Sequence, residues 1–189
     1  TVACLTRGRF ALGVGLSPWP EDFRVMGVPW QGRGNRMDEM IEIIRGLSGG
    51  EYFEFQGKHF ELEPIKLCPV PGDLIPILIG GHAEPALRRA ARLGDGWMHG
   101  GGGQASDLDG ALRRLGELRK EYGRADRPFE VHVISMDAFS ADGLKRLEDH
   151  GVTDVILGVR DLYSGVAMPL EKKIDALRRL ADTLIAKQH

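Results

Sequence analysis

The sequence predicts an α/β fold with parallel strands. Short apolar runs alternate with helical patterns to the end of the chain, and strand–helix alternation implies parallel strands joined by helical crossovers. The run RFALGVGL at 9–16 is apolar throughout, as in a strand covered on both faces. Glycines directly follow two of the apolar runs, where a parallel strand turns into its helix. Two architectures fit: an open doubly wound sheet, or part of a (β/α)8 barrel. Five strand–helix units are too few for a closed eight-stranded barrel, which takes about 250 residues.

Each element has its own signal. After the strand at 9–16, SPWPEDF at 17–23 reads as a loop. Met37, Met40, Ile41, Ile44 and Leu47 lie on one face of an amphipathic helix, with Arg36, Glu39, Glu42 and Arg45 off that face and Gly49-Gly50 at its end. Residues 52–62, YFEFQGKHFEL, alternate as a hairpin about Gln56-Gly57-Lys58. They sit in an insertion spanning 48–74, and Pro64, Pro69 and Pro71 mark its long exit. IPILI at 75–79 is the second strand. Gly80-Gly81-His82 follows, then a helix with Pro85 in its first turn and Leu87, Ala90, Ala91 and Leu93 on its apolar face. Gly94-Asp95-Gly96 stops it, and Trp97-Met98 begins a third strand. The run GGGG at 100–103 is a loop, and Ser106 with Asp109 forms a capping-box pattern. The helix it opens carries Leu108, Ala111, Leu112, Leu115 and Leu118. FEVHVIS at 129–135, a helix near 143–150, TDVILGV at 153–159, and a last helix complete the pattern. The last helix has Leu170, Ile174, Leu177, Ala181 and Leu184 on one face.

Composition narrows the class. The chain has 189 residues, read here as a single domain, with 25 Lys plus Arg against 27 Asp plus Glu and a net charge of −2. That balance argues against nucleic acid or an anionic membrane as partner. With 42% hydrophobic and 28% charged residues, the chain has the mix of a folded domain rather than a disordered one. No apolar run approaches the roughly 18 residues of a membrane span. Arg7 and Arg9 interrupt any signal-peptide core. Two cysteines, Cys4 and Cys68, make no disulfide framework, and a reducing cytoplasm is the expected location.

The strongest chemical signal is IPILIGGHAEPALRRAA at 75–91. A strand delivers two glycines to a helix start, where free N–H groups and the helix dipole favour an anion. The same residues also suit a tight turn with no ligand, and neither a P-loop nor a GxGxxG fingerprint is present. LGVGLSPW at 12–19 places further glycines at a strand's C-terminal end, the ligand side of parallel α/β folds, or else fills a tight barrel layer. The six histidines and two cysteines lack zinc-type spacing, so no metal is expected. His82 lies in the glycine turn. His132 alternates with Val131 and Val133 and reads either as a core histidine, the favoured reading, or as one pointing into a barrel. Ser17 and Ser135 lack a nucleophile elbow. The charges at 33–45 read as a solvated helix face.

Three blocks in order, LGVG-x-x-P-x-E, RG-x-R-x-DE and ILIGG…ALRRAA…GDGW, carry a family likeness. The chain resembles the bacterial luciferase-like superfamily, and more narrowly its flavin- or deazaflavin (coenzyme F420)-dependent oxidoreductases. The resemblance implies a (β/α)8 TIM-type barrel of which this chain supplies strands four to eight, with the hairpin inserted between strands four and five. The chain then reads as the C-terminal portion of a longer protein, in keeping with its length and its lack of an initial Met. The resemblance implies that Leu16 and Ser17 line the cofactor ring. It also implies that Gly80, Gly81, His82, Ala83 and Glu84 hold the cofactor phosphate, although the charge of Glu84 opposes an anion. The implied activity is hydride transfer between coenzyme F420 and a small organic substrate, with no catalytic acid or base named. The alternatives are an FMN-dependent monooxygenase and a non-catalytic barrel fragment that dimerises or only binds flavin. Exposed strand edges predict a homo-oligomer.

Overall fold

A computed structural model describes residues 1–100, 105–159 and 165–185, with backbone alone at 105 and 106. The chain is α/β with five parallel-sheet strands, as the alternation predicts. Its residues fall into two compact units, 1–98 with 114–129, and 99–113 with 130–189.

In the first unit, helix α1 (Val2–Thr6) leads into strand β1 (Leu12–Val14). β1 is only three residues long and half-buried, with Gly13 exposed, so the expectation of a strand covered on both faces over 9–16 is corrected. The reason is its position: β1 lies at the edge of the sheet and pairs with one neighbour, strand β4 (Ile77–Gly80). β4 is the strand that is covered on both faces. Ile77, Leu78 and Ile79 are all buried, flanked by β1 in the register Leu12↔Ile77 and by strand β5 (Gly96–His99) in the register Ile79↔Trp97.

The stretch read as a loop at 17–23 instead opens a short helix α2 (Pro20–Val25), because Pro20 sits at the first helical position, where its fixed φ favours a start. Helix α3 (Arg33–Ser48) follows and ends at Gly49, as read. Ile41 is its one fully buried side chain. The hairpin is strands β2 (Phe53–Gln56) and β3 (Glu61–Ile65), paired Gln56↔Glu61 and Phe55↔Leu62. Helix α4 (Glu84–Leu93) buries Leu87, Ala90 and Ala91. Helix α5 (Ala105–Glu121) adds Leu115 and Leu118 to this unit's core. The Ser106 side chain and residues 101–103 lie outside the described residues. Asp109, the other half of the expected capping box, accepts from His150 Nδ1 at 2.9 Å.

In the second unit, strand β6 (Glu130–Val133) buries Val131 and Val133 and pairs in parallel with strand β7 (Asp154–Val155), His132 facing Asp154 in register. β7 is shorter than the run 153–159 suggests. A 3-10 turn at 136–139 and helix α6 (Ala141–Asp149) lie between them, and Ser135 and Ser140 cap these two starts. Gly143 is required by space, since a Cβ there would lie 2.0 Å from the Asp137 carbonyl oxygen. Helix α7 (Leu170–Leu184) buries Leu184 but leaves Leu170, Ile174 and Leu177 exposed, which corrects the expectation of a docked apolar face.

Candidate cofactor site

The turn after β4 is built from the backbone outward. Gly81 has φ +124°, a conformation that side chains rarely adopt, and a Cβ there would lie 2.9 Å from Ala86 Cβ. Its carbonyl accepts a 2.8 Å hydrogen bond from the indole Nε1 of Trp97, which is fully buried. Trp97 is the last residue of the GDGW block, so this motif has a physical role in locking the glycine turn. The preceding Asp95 carboxylate accepts from Ile77 N at 3.0 Å and from Arg45 at 2.6 Å, which ties β4 to α3. Gly94 is forced by three close neighbours: a Cβ would meet two carbonyl oxygens at 2.8 and 2.9 Å and Ile79 at 3.0 Å.

Gly80 and Gly15 are different. Neither has positive φ. A Cβ on Gly80 would lie 3.5 Å from the Val14 carbonyl oxygen, and one on Gly15 would lie 3.9 Å from Gly80 Cα, both ordinary contacts. The fold therefore does not require glycine at either position. Together they place two neighbouring residues without side chains where β4 ends and just past the end of β1.

The other expected residues lie on the segments that follow β1 and β4. Leu16 is half-buried just beyond β1. The Ser17 hydroxyl donates to the Asp22 carboxylate and accepts from Trp19 N at 3.1 Å, so it secures the entry to α2. His82 and Ala83 are exposed at the start of α4. The first bonds of that helix, from Ala86 and Leu87, both go to the Ala83 carbonyl, which places the backbone N–H groups of Ala83 and Glu84 ahead of the helical ladder.

Glu84 does not act there as an unpaired charge. Its carboxylate is bound by Arg114 at 2.9 Å and by Arg88 at 2.8 Å. The Arg114 hydrogen bond, helped by Arg88, holds it below the usual carboxylate range. The opposition to an anion noted from the sequence is thereby offset by two guanidinium groups. Sequence reading missed Arg114 and Trp97 because each acts across a long separation in the chain. The GDGW block itself was the available signal for Trp97.

The charges at 33–45 also prove to be more than a solvated face. Asp38 binds Arg89, a buried residue of α4, and Arg92 at 2.6 Å. Glu39 accepts from the backbone N–H groups of Lys58, His59 and Phe60 at 2.9, 2.8 and 3.0 Å and so cradles the hairpin turn. The two carboxylates of RG-x-R-x-DE therefore fasten α3 to α4 and to the hairpin. His132 lies in the second unit and is not a core histidine. Val131 and Val133 take the buried face, and alternation turns His132 to the other one.

Gly15 and Gly80 lie at the C-terminal ends of parallel strands, the side on which parallel α/β folds carry their ligand sites. Residues 1–180 match the luciferase-like monooxygenase family, and the chain belongs to it. An uncharacterised protein of Mycobacterium tuberculosis is 53% identical over 189 residues, covering 99% of this chain and 65% of the relative. An F420-dependent glucose-6-phosphate dehydrogenase of Nakamurella multipartita is 27% identical over 194 residues, covering all of this chain and 55% of that protein. The crystal structure of monooxygenase RslO1 from Streptomyces bottropensis superposes with a TM-score of 0.75 at 18% identity, over 98% of this chain and 70% of that one. The chain thus spans just under two thirds of the length of the M. tuberculosis relative. No helix among the described residues is long and apolar enough to cross a membrane.

Proposed function

We propose that this chain forms the cofactor-holding part of a luciferase-like oxidoreductase that uses the deazaflavin coenzyme F420 and acts on a small organic substrate. The observation that carries the reading is the pair Gly15 and Gly80, where side chains would fit but are absent. A flat ring with a phosphate-bearing tail fits such residues, because the backbone can approach it closely. In this reading Leu16 and Ser17 border the ring. The turn Gly80-Gly81-His82 with the N–H groups of Ala83 and Glu84 receives the phosphate. Trp97 fixes the orientation of that turn through the Gly81 carbonyl. Arg114 and Arg88 neutralise Glu84, so the helix start stays favourable to an anion. When bound, the deazaflavin supplies two-electron hydride chemistry, and the protein supplies position and electrostatics. The F420-dependent dehydrogenase relative supports the choice of deazaflavin. Self-association through the β1 edge, in the cytoplasm, belongs to the same reading.

The test is a fluorescence titration of the chain with coenzyme F420 and, separately, with FMN, repeated on Gly80→Ala. We expect saturable F420 binding, weakened about tenfold by Gly80→Ala, roughly 1.4 kcal/mol, with an unchanged melting temperature. Unaltered affinity removes Gly80 from the site. Binding of FMN alone moves the reading to a flavin monooxygenase. Binding of neither leaves a barrel segment without cofactor function.

A further inference from the structure

Glu130 and His132 lie two apart on β6 and so share the face opposite the buried valines. Asp154 on β7 is the in-register neighbour of His132. His132 Nε2 is 2.8 Å from Glu130 Oε2 and 3.3 Å from Asp154 Oδ2, and all three atoms lie within 4.8 Å of one another. We propose that these three side chains form a site for a divalent transition-metal ion, held by one imidazole nitrogen and two carboxylates.

Three arguments carry it. First, one ring nitrogen holds at most one hydrogen and cannot satisfy two carboxylates together. Second, two carboxylates this close repel each other, and a single imidazolium leaves a net negative charge. A divalent ion with a neutral imidazole balances the group. Third, the group is held from behind. Thr153 Oγ1 donates to Asp154 Oδ2 at 2.8 Å and accepts from Val131 N at 2.8 Å, which orients the carboxylate as outer-shell partners do at metal sites. The imidazole favours zinc or cobalt over magnesium, calcium or manganese, which suit oxygen donors. Three protein ligands leave a position for water or another ligand. The carboxylates are about half exposed, so an ion can enter from solvent. The spacing of His and Cys along the sequence could not reveal this group, because parallel pairing brings Asp154 to His132 from far along the chain.

The full chain, stripped of metal and without cofactor, is titrated with Zn2+ by calorimetry and with Co2+ by visible absorption. We expect one ion per chain, visible ligand-field bands for cobalt and a raised melting temperature with zinc. Affinity falls at least tenfold in His132→Gln and in Glu130→Gln, the latter altering a half-exposed side chain. His150→Asn, which removes a separate His–carboxylate pair with Asp109, leaves binding unchanged. No uptake of either ion, full affinity in both Gln variants, or loss in His150→Asn overturns the proposal. None of these readouts depends on F420 or FMN binding.

Discussion

Replacing Asp38 by Ala leaves the Arg89 guanidinium without a counter-charge in a site where that residue is only 7% exposed. Removing one partner of a buried pair costs about 3–5 kcal/mol, mostly because the remaining charge stays desolvated. Asp38 itself keeps 20% of its surface in water, so the low end, about 3 kcal/mol, applies. The second partner, Arg92, is nearly half exposed and adds about 0–1 kcal/mol. For a chain of this size, about 3 kcal/mol lowers the melting temperature by roughly 6–12 °C. Urea unfolding of the single variants and of the double variant Asp38→Leu/Arg89→Met measures it. The double variant recovers most of the loss, since no unpaired charge remains. A single-variant cost below about 1 kcal/mol, or a double variant no more stable than Asp38→Ala, would refute the claim that burial of Arg89 sets the cost.

Other outcomes follow from the same structure. Burial pushes the Glu39 carboxyl up, but the backbone N–H groups of His59, Lys58 and Phe60 together hold it below its ordinary value. Its contribution to stability is therefore full above the ordinary carboxylate range and is lost as pH falls through the lowered value. Glu39→Gln removes part of the acid-side loss in a pH series of melting temperatures and speeds amide exchange at residues 58–60; an unchanged acid limb counts against the cradle. Gly81→Val destabilises the fold before any ligand is added, through strained φ and contact with Ala86, and a melting curve equal to wild type would mean the turn adapts. Leu177→Asp changes stability by no more than about 0.5 kcal/mol because Leu177 is exposed, whereas Leu118→Ala, with a fully buried side chain, costs about 2–5 kcal/mol. Equal effects in chemical denaturation would contradict these burials.

The sequence by itself determined the order of the parallel strands and of the longer helices, though not the short helices α1 and α2, because a parallel α/β chain writes its main elements as unbroken local patterns. IPILI became a strand, FEFQGKHFEL a hairpin, and Gly80-Gly81 a strand-to-helix turn. It also marked the family through blocks whose reasons were not legible. Only the tertiary structure supplied those reasons. Asp38 and Glu39 in one block, and Trp97 in another, act on partners that lie far away along the chain. It also separated glycines that the fold demands, Gly81 and Gly94, from those it does not, Gly15 and Gly80, a distinction that depends on which atoms stand opposite an absent Cβ. Periodicity failed where burial depends on what covers a face rather than on the face itself: along the apolar stripe of α7, Leu184 is buried while Leu170, Ile174 and Leu177 are exposed. His132 failed as a core residue for a related reason. Alternation shows that neighbouring side chains part company, but only packing shows which of the two faces is inside.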